Sequence, residues 1–151
     1  LWSWIDKPSV LFSPDQFDGT SEATLPPSLN AISLSFTERF GSFSTDSDYA
    51  NIEELKSFMT VNMQKWADNF VSEQRAKDEL SPSAFYGVRT RALSSDMITM
   101  DEVDGRASIL LNTQRIETIG LSLKQTVKYQ EIVLNLQRDG DIWYVDSAVW
   151  Q

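Results

Sequence analysis

Near the end of the chain an Asp139-Gly140 pair sits between two apolar-polar alternations. Leu134-Asn135-Leu136-Gln137 runs into it and Ile142-Trp143-Tyr144-Val145 runs out. Few short patterns constrain a chain more. Alternation at period two turns one side of each strand toward a core, and an Asp-Gly turn folds the second strand back on the first. Asp104-Gly105 repeats the same turn chemistry upstream, and Gly120 marks a further loop over 117–122. The last third of the chain is therefore a β-meander that needs a cover.

The period-two pattern begins after Pro82. Tyr86, Val88, Thr90 and Ala92 alternate with Gly87, Arg89 and Arg91, which makes a half-buried strand with its basic side outward. The alternation blurs at Ser94-Ser95-Asp96, a bulge or bend, and continues extended over 97–103. Ile109 and Leu111 take one face of the next strand and Leu110 the other. The strand over 123–137 carries Val127, Tyr129 and Val133 on one face, with Ile132, Leu134 and Leu136 on the other. Strands of about 12 to 18 residues exceed the usual length of about five or six, so the sheet must twist and bend. Bulges near Ser94 and near Gly120 are the expected sources of that curvature.

Upstream the period is helical. Leu29, Ile32, Phe36, Phe40 and Phe43 recur every three or four residues, one face of a helix of about four turns. Pro26-Pro27 precedes it and Ser28 is placed as its N-cap. Asn51 is placed to cap a short helix through Leu55 and Phe58, with Glu53 and Glu54 in the first turn. Thr60 opens a longer helix with Met63, Trp66, Ala67, Phe70 and Val71 on one face, stopped by Ser81-Pro82. Between the first two helices, Asp46-Ser47-Asp48 lacks the glycine and downstream glutamate of a calcium loop and reads as a solvated turn. Helices followed by strands specify an α+β fold: N-terminal helices packed on a strongly curved antiparallel sheet of about four long strands.

Composition narrows the chemistry. The 151 residues suffice for one sizeable core. No His and no Cys occur, which removes histidine general bases, serine-histidine triads, thiolate nucleophiles and the commonest metal ligands. No metal or cofactor is implied. A net charge of -9 argues against nucleic acid, whose phosphates need a cationic face. No apolar run is long enough to span a membrane. Leu1-Trp2-Ser3-Trp4-Ile5 ahead of Asp6-Lys7-Pro8 reads as the outer end of a removed transmembrane anchor, with Trp at headgroup level. The alternative is an apolar segment folded back on the domain. Residues 1–27, with four of the five prolines by position 27, form an arm or tether. The folded α+β domain is expected over 28–151.

The pattern over 28–151 resembles the nuclear transport factor 2-like superfamily, a cone-shaped α+β fold. The resemblance lies in Phe36-Thr37-Glu38-Arg39-Phe40 ending the first helix and in Leu55-Lys56-Ser57-Phe58-Met59-Thr60 leading to Met63 and Trp66. It extends to the closing strand Gly140-Asp141-Ile142-Trp143-Tyr144-Val145-Asp146. None of these is a catalytic signature. The resemblance implies either an envelope assembly domain or a small isomerase-like or ligand-binding cone, and it implies a cavity between sheet and helices. Residues placed to line that cavity are Trp66, Phe70, Tyr86, Tyr129 and Trp143, which either hold a small apolar ligand or fill the cone. Candidate carboxylates are Asp146 beside Tyr144, and Asp101 with Asp104. The last two sit where a turn needs Asp. Arg89 with Arg91, and Lys124 with Lys128, are basic spots balanced by acids such as Glu131 and Asp101.

The leading expectation is a non-catalytic binding or assembly domain on the extracytoplasmic side of a membrane. Its partner, another protein or a second copy, docks on the open sheet face. A cytoplasmic soluble domain using the cavity is the alternative.

Overall fold

The structure, a computed structural model, describes residues 27–80, 85–120, 122 and 124–151. The expected arm, the Ser81-Pro82 helix stop and Leu123 lie outside them. Among the described residues a five-stranded antiparallel sheet runs in chain order: β1 (Phe43–Ser44), β2 (Tyr86–Asp101), β3 (Arg106–Ile119), β4 (Lys124–Asp139) and β5 (Ile142–Trp150). Four of these are the long strands of the sequence pattern, and the two-residue β1 is added at the β2 edge. Phe43 thus belongs to a strand and not to the first helix.

Both hairpins form where Asp-Gly places them. Asp101 pairs with Arg106, and its Oδ1 accepts from the amides of Val103 and Asp104 at 3.0 Å. Asp139 pairs with Ile142, so the second loop consists of Gly140 and Asp141. Gly140, with φ +64°, leads that loop, the arrangement whose twist matches the flanking strands. Arg138 joins the two hairpins: its amide donates to Gly105 O at 2.7 Å and its Nη2 to Glu102 O at 2.7 Å.

Curvature comes from three register shifts. Leu93 and Ile98 are the extra residues on β2, and both stand about half exposed, at 51% and 52%. Each insertion switches the parity that faces inward, from even at Ala92 to odd at Met97 and back to even at Met100. Ala92, Met97 and Met100 all join the apolar cluster although they are not evenly spaced. The third shift lies on β5 between Ser147 and Val145 and makes Asp146 the bulged residue. Near the Gly120 end the pairing is regular, from Thr113 to Ile119 with β2 and along all of β3 with β4. The expected bulge near Gly120 is therefore a turn, with Gly120 at φ +80°.

The helices cover one face. α1 (Pro27–Phe40) packs on β2, β3 and β5, and α3 (Val61–Leu80) packs on β5, with α2 (Ala50–Leu55) and the 3-10 turn Lys56–Phe58 between them. The core joins Leu29, Phe36 and Phe40 of α1 and Met63, Ala67 and Val71 of α3 to Ile109, Leu111, Ile132 and Leu134 of the sheet. α1 also satisfies the edge of β2. Glu38 Oε2 accepts from Ala92 N at 2.9 Å, and Ser42 Oγ accepts from Thr90 N at 2.8 Å. Amides left unpaired on an edge strand would otherwise recruit another chain.

Capping follows the sequence in one place and departs from it in two. Thr60 Oγ1 accepts from Met63 N at 3.2 Å and so caps α3. Its own amide donates to Val145 O at 2.9 Å, and its hydroxyl donates to Asp146 Oδ1 at 2.6 Å. The start of α3 is thereby tied to β5. α1 begins at Pro27, which puts Ser28 inside the first turn. Asn51 does not cap α2, whose N-cap is Tyr49 in the left-handed region. The Asn51 amide instead donates to Arg39 O at 3.0 Å and Phe40 O at 3.4 Å, closing the end of α1.

Candidate functional site

The cone is not packed solid. A cavity of about 340 Å³ opens between α3, the strand β3–β4 pair and the end of β5. Three of the five expected residues meet there: Trp66, Phe70 and Tyr86. α3 presents them by a helical offset. Met63, Ala67 and Val71 face the core and are buried, which rotates Trp66 onto the flank, where it is 42% exposed. Trp66 stacks on Phe70 with ring centroids 5.2 Å apart and lies 5.9 Å from Phe40. Phe40 in turn lies 6.4 Å from Trp150. These spacings are those of favourable aromatic pairs.

Tyr129 does not join them. It is 70% exposed on the opposite face of the sheet, where its hydroxyl accepts from Gln114 Nε2 at 3.3 Å. Parity explains this: Ile132 and Leu134 on the same strand face inward, so an odd-numbered neighbour faces outward. Trp143 is inward but elsewhere. It is buried beneath the Arg138 guanidinium, 5.4 Å from its ring centroid, and borders a separate groove of about 550 Å³ with Ile32, Phe36 and Phe58.

The floor of the cavity is a residue the sequence reading passed over. Arg115 follows Ile109, Leu111 and Thr113 on the inward side of β3, and its Cα partner across β4 is Lys128, which lines the same cavity. Arg115 Nε donates to Thr90 Oγ1 at 3.1 Å, Nη1 to Gln130 Oε1 at 3.1 Å and Nη2 to Gly41 O at 3.3 Å. The guanidinium lies 4.0 Å from the centroid of the Trp150 ring, a cation–π contact. Burial pushes its pKa below the ordinary arginine range, and arginine still remains charged. Gly41 makes the approach possible: a Cβ there would come within 2.5 Å of Thr90 Oγ1. The signal that could have found Arg115 was a charged residue in register with buried ones.

On the cavity wall the Tyr86 hydroxyl donates to Glu117 Oε2 at 2.8 Å. Burial and this bond raise the Tyr86 pKa to about 12. The donor is bound to the carboxylate itself and does not face it across a space for substrate, as acid–base catalysis would need. The other candidate carboxylates have structural partners: Asp146 holds Thr60, and Asp101 caps its own turn. Asp48, in the proposed solvated turn, accepts from Arg75 Nε at 3.0 Å.

The outer face of the sheet is the second candidate surface. Across it run the row Leu110–Val133–Val149 and the pair Ile116–Val127. Val127 and Val149 are 50% and 54% exposed. Among the described residues no helix packs on this side.

No family model matches the chain, and no curated protein does. Solved structures do share its fold. CagV, a VirB8 homolog of a T4SS from Helicobacter pylori, is 9% identical, covering 83% of this chain and 98% of that one with a TM-score of 0.60. Aln2 from a Streptomyces species is 15% identical, covering 85% and 94%, with a TM-score of 0.54. The intermembrane space region of the chloroplast protein ARC6 is 10% identical, covering 84% and 98%, at 0.49. The likeness to CagV and Aln2 shows the expected fold alone, the nuclear transport factor 2-like α+β cone with helices on one face of an antiparallel sheet.

Proposed function

We propose that this chain is a non-catalytic assembly domain on the extracytoplasmic side of a membrane-anchored protein, and that it associates with a second copy of itself through the outer sheet face. The observation that carries the reading is the open face itself, an apolar centre on a sheet whose other side is covered. An antiparallel sheet with one face bare offers a flat docking surface, and exposed contiguous apolar area marks interaction sites.

The charges favour a second copy. Arg89 and Arg91 lie outward on β2, and Glu131 lies outward on β4, with the apolar residues of β3 and β4 between or beside them. A two-fold axis along β3 lays β2 of one copy over β4 of the other and brings Arg91 toward Glu131. Such self-complementarity is what an isologous interface requires. The fold shared with a VirB8 homolog of a T4SS, and the Trp-containing run Leu1-Trp2-Ser3-Trp4-Ile5 before a Pro-rich stretch, support the envelope setting. The coding sequence ahead of Leu1 tests the anchor: an apolar run of about 20 residues is expected, and a polar stretch there removes the membrane from this reading.

Light scattering after size-exclusion chromatography tests the assembly. The expected mass is twice that of the chain at micromolar concentration. Val127→Lys, at a half-exposed position, is expected to give a folded monomer. A wild-type protein that remains monomeric at high concentration, or a Val127→Lys protein that still dimerises, overturns the proposal.

A further inference from the structure

The Arg115 guanidinium in the cavity hydrogen-bonds only to neutral groups. Its three acceptors are a hydroxyl, a side-chain amide and a backbone carbonyl. Among the described residues no acid makes an ion pair with it, and Glu117, two positions along β3, is engaged by Tyr86. Glu117 attracts the guanidinium through space but makes no salt bridge with it, so a half-buried charge has lost water for only partial compensation, a state that a directly bound anion would relieve. A guanidinium has five N–H groups. With three used as above, one hydrogen remains on each terminal nitrogen for an incoming acceptor. Lys128 adds a second cation to the wall against the single acid Glu117, so the cavity is cationic by one charge in a chain of net charge -9.

Most of the rest of the lining is aromatic. Phe40 and Trp150 flank the guanidinium side, and Trp66 stands 42% exposed at the mouth. An exposed Trp lining the same cavity as an Arg without a salt bridge suits a flat apolar body with one negative end.

We propose that this cavity binds a small aromatic monocarboxylate, its carboxylate on Arg115 with Lys128 and its ring system against Trp66, Phe40 and Trp150. The volume of about 340 Å³ accommodates a bicyclic body. A single carboxylate matches the surplus of one positive charge, whereas a phosphate dianion exceeds it and meets Glu117.

Titration of the whole chain with 2-naphthoate, and separately with 2-naphthamide and inorganic phosphate, tests this by calorimetry and tryptophan fluorescence. Saturable binding of the naphthoate is expected, tighter than the amide by about tenfold or more, the worth of hydrogen bonds to a charged group. Phosphate is expected not to compete. Arg115→Gln should abolish the preference for the acid. Because that change also leaves Thr90 and Gln130 without their donor, two milder variants accompany it. Lys128→Gln is expected to narrow the preference, and Trp66→Ala to weaken both naphthalenes while leaving the fold intact. Equal affinity for acid and amide, phosphate binding as tight as the naphthoate, or no saturable binding up to millimolar concentration would each overturn the proposal. A dimer that binds no carboxylate refutes this site and leaves the assembly reading standing.

Discussion

Tyr86 shows how much one side chain can report on the site. Its hydroxyl is bound to Glu117, and its pKa is raised from 10.0 to about 12 by burial first and by that bond second. Tyr49, bound to Asp78 Oδ2 at 2.8 Å, is raised similarly to about 12. An acid whose folded pKa lies above its unfolded value binds more protons when folded between those two values. Stability therefore falls there as pH rises. The contribution is complete below pH 10 and is lost progressively as pH climbs toward 12. Denaturation monitored across that window should show the midpoint falling with pH, and Tyr86→Phe should fall less steeply. A Tyr86→Phe protein with the wild-type slope would show that the Tyr86–Glu117 bond is not formed in solution. Parity at this scale was readable for Tyr129, since Ile132 and Leu134 already assign it to the outer face. Arg115 was readable by the same rule, because it shares the parity of Ile109 and Leu111.

Among the elements, β2 carries the clearest lesson. The blurred alternation at Ser94-Ser95-Asp96 marks the first bulge, but the second at Ile98 leaves no separate trace in the pattern, because Met97-Ile98-Thr99-Met100 suits either register. The bulged residue Leu93 is half exposed, so Leu93→Ser is expected to change stability by less than about 0.5 kcal/mol. Deleting Leu93 is different. It turns every residue from Ser94 onward to the other face and drives Met97 and Met100 out of the core. Urea unfolding should show a loss several times that of the substitution, or no cooperative transition. A deletion as mild as Leu93→Ser would mean that the bulge does not set the register. Asp146 is likewise a bulged residue, and the Thr60 hydroxyl it accepts could not be assigned from spacing, since 86 positions separate the two.

The whole molecule divides its aromatic residues between packing and a wet cavity. Phe36 is 1% exposed and Trp66 is 42% exposed, although both sit on apolar helical stripes. Phe36→Ala is expected to cost about 3–5 kcal/mol, and Trp66→Ala far less, with thermal or denaturant unfolding as the measure. Equal losses would place Trp66 in the core and leave the cavity without its mouth. From the amino-acid pattern alone came the order of helices then strands, both Asp-Gly hairpins, the two-faced alternation of the strands and the exclusion of histidine and cysteine chemistry. These depend on short-range spacing and residue type, which a sequence displays directly. Only the tertiary structure decided that Trp66, Phe70 and Tyr86 share a cavity, that Trp143 borders a different groove and that Arg115 has neutral partners. Those facts depend on how far α3 is rotated against the sheet and on which bulges curve it. That geometry is set by contacts between residues far apart in the chain, such as Gly41 with Thr90 and Thr60 with Asp146.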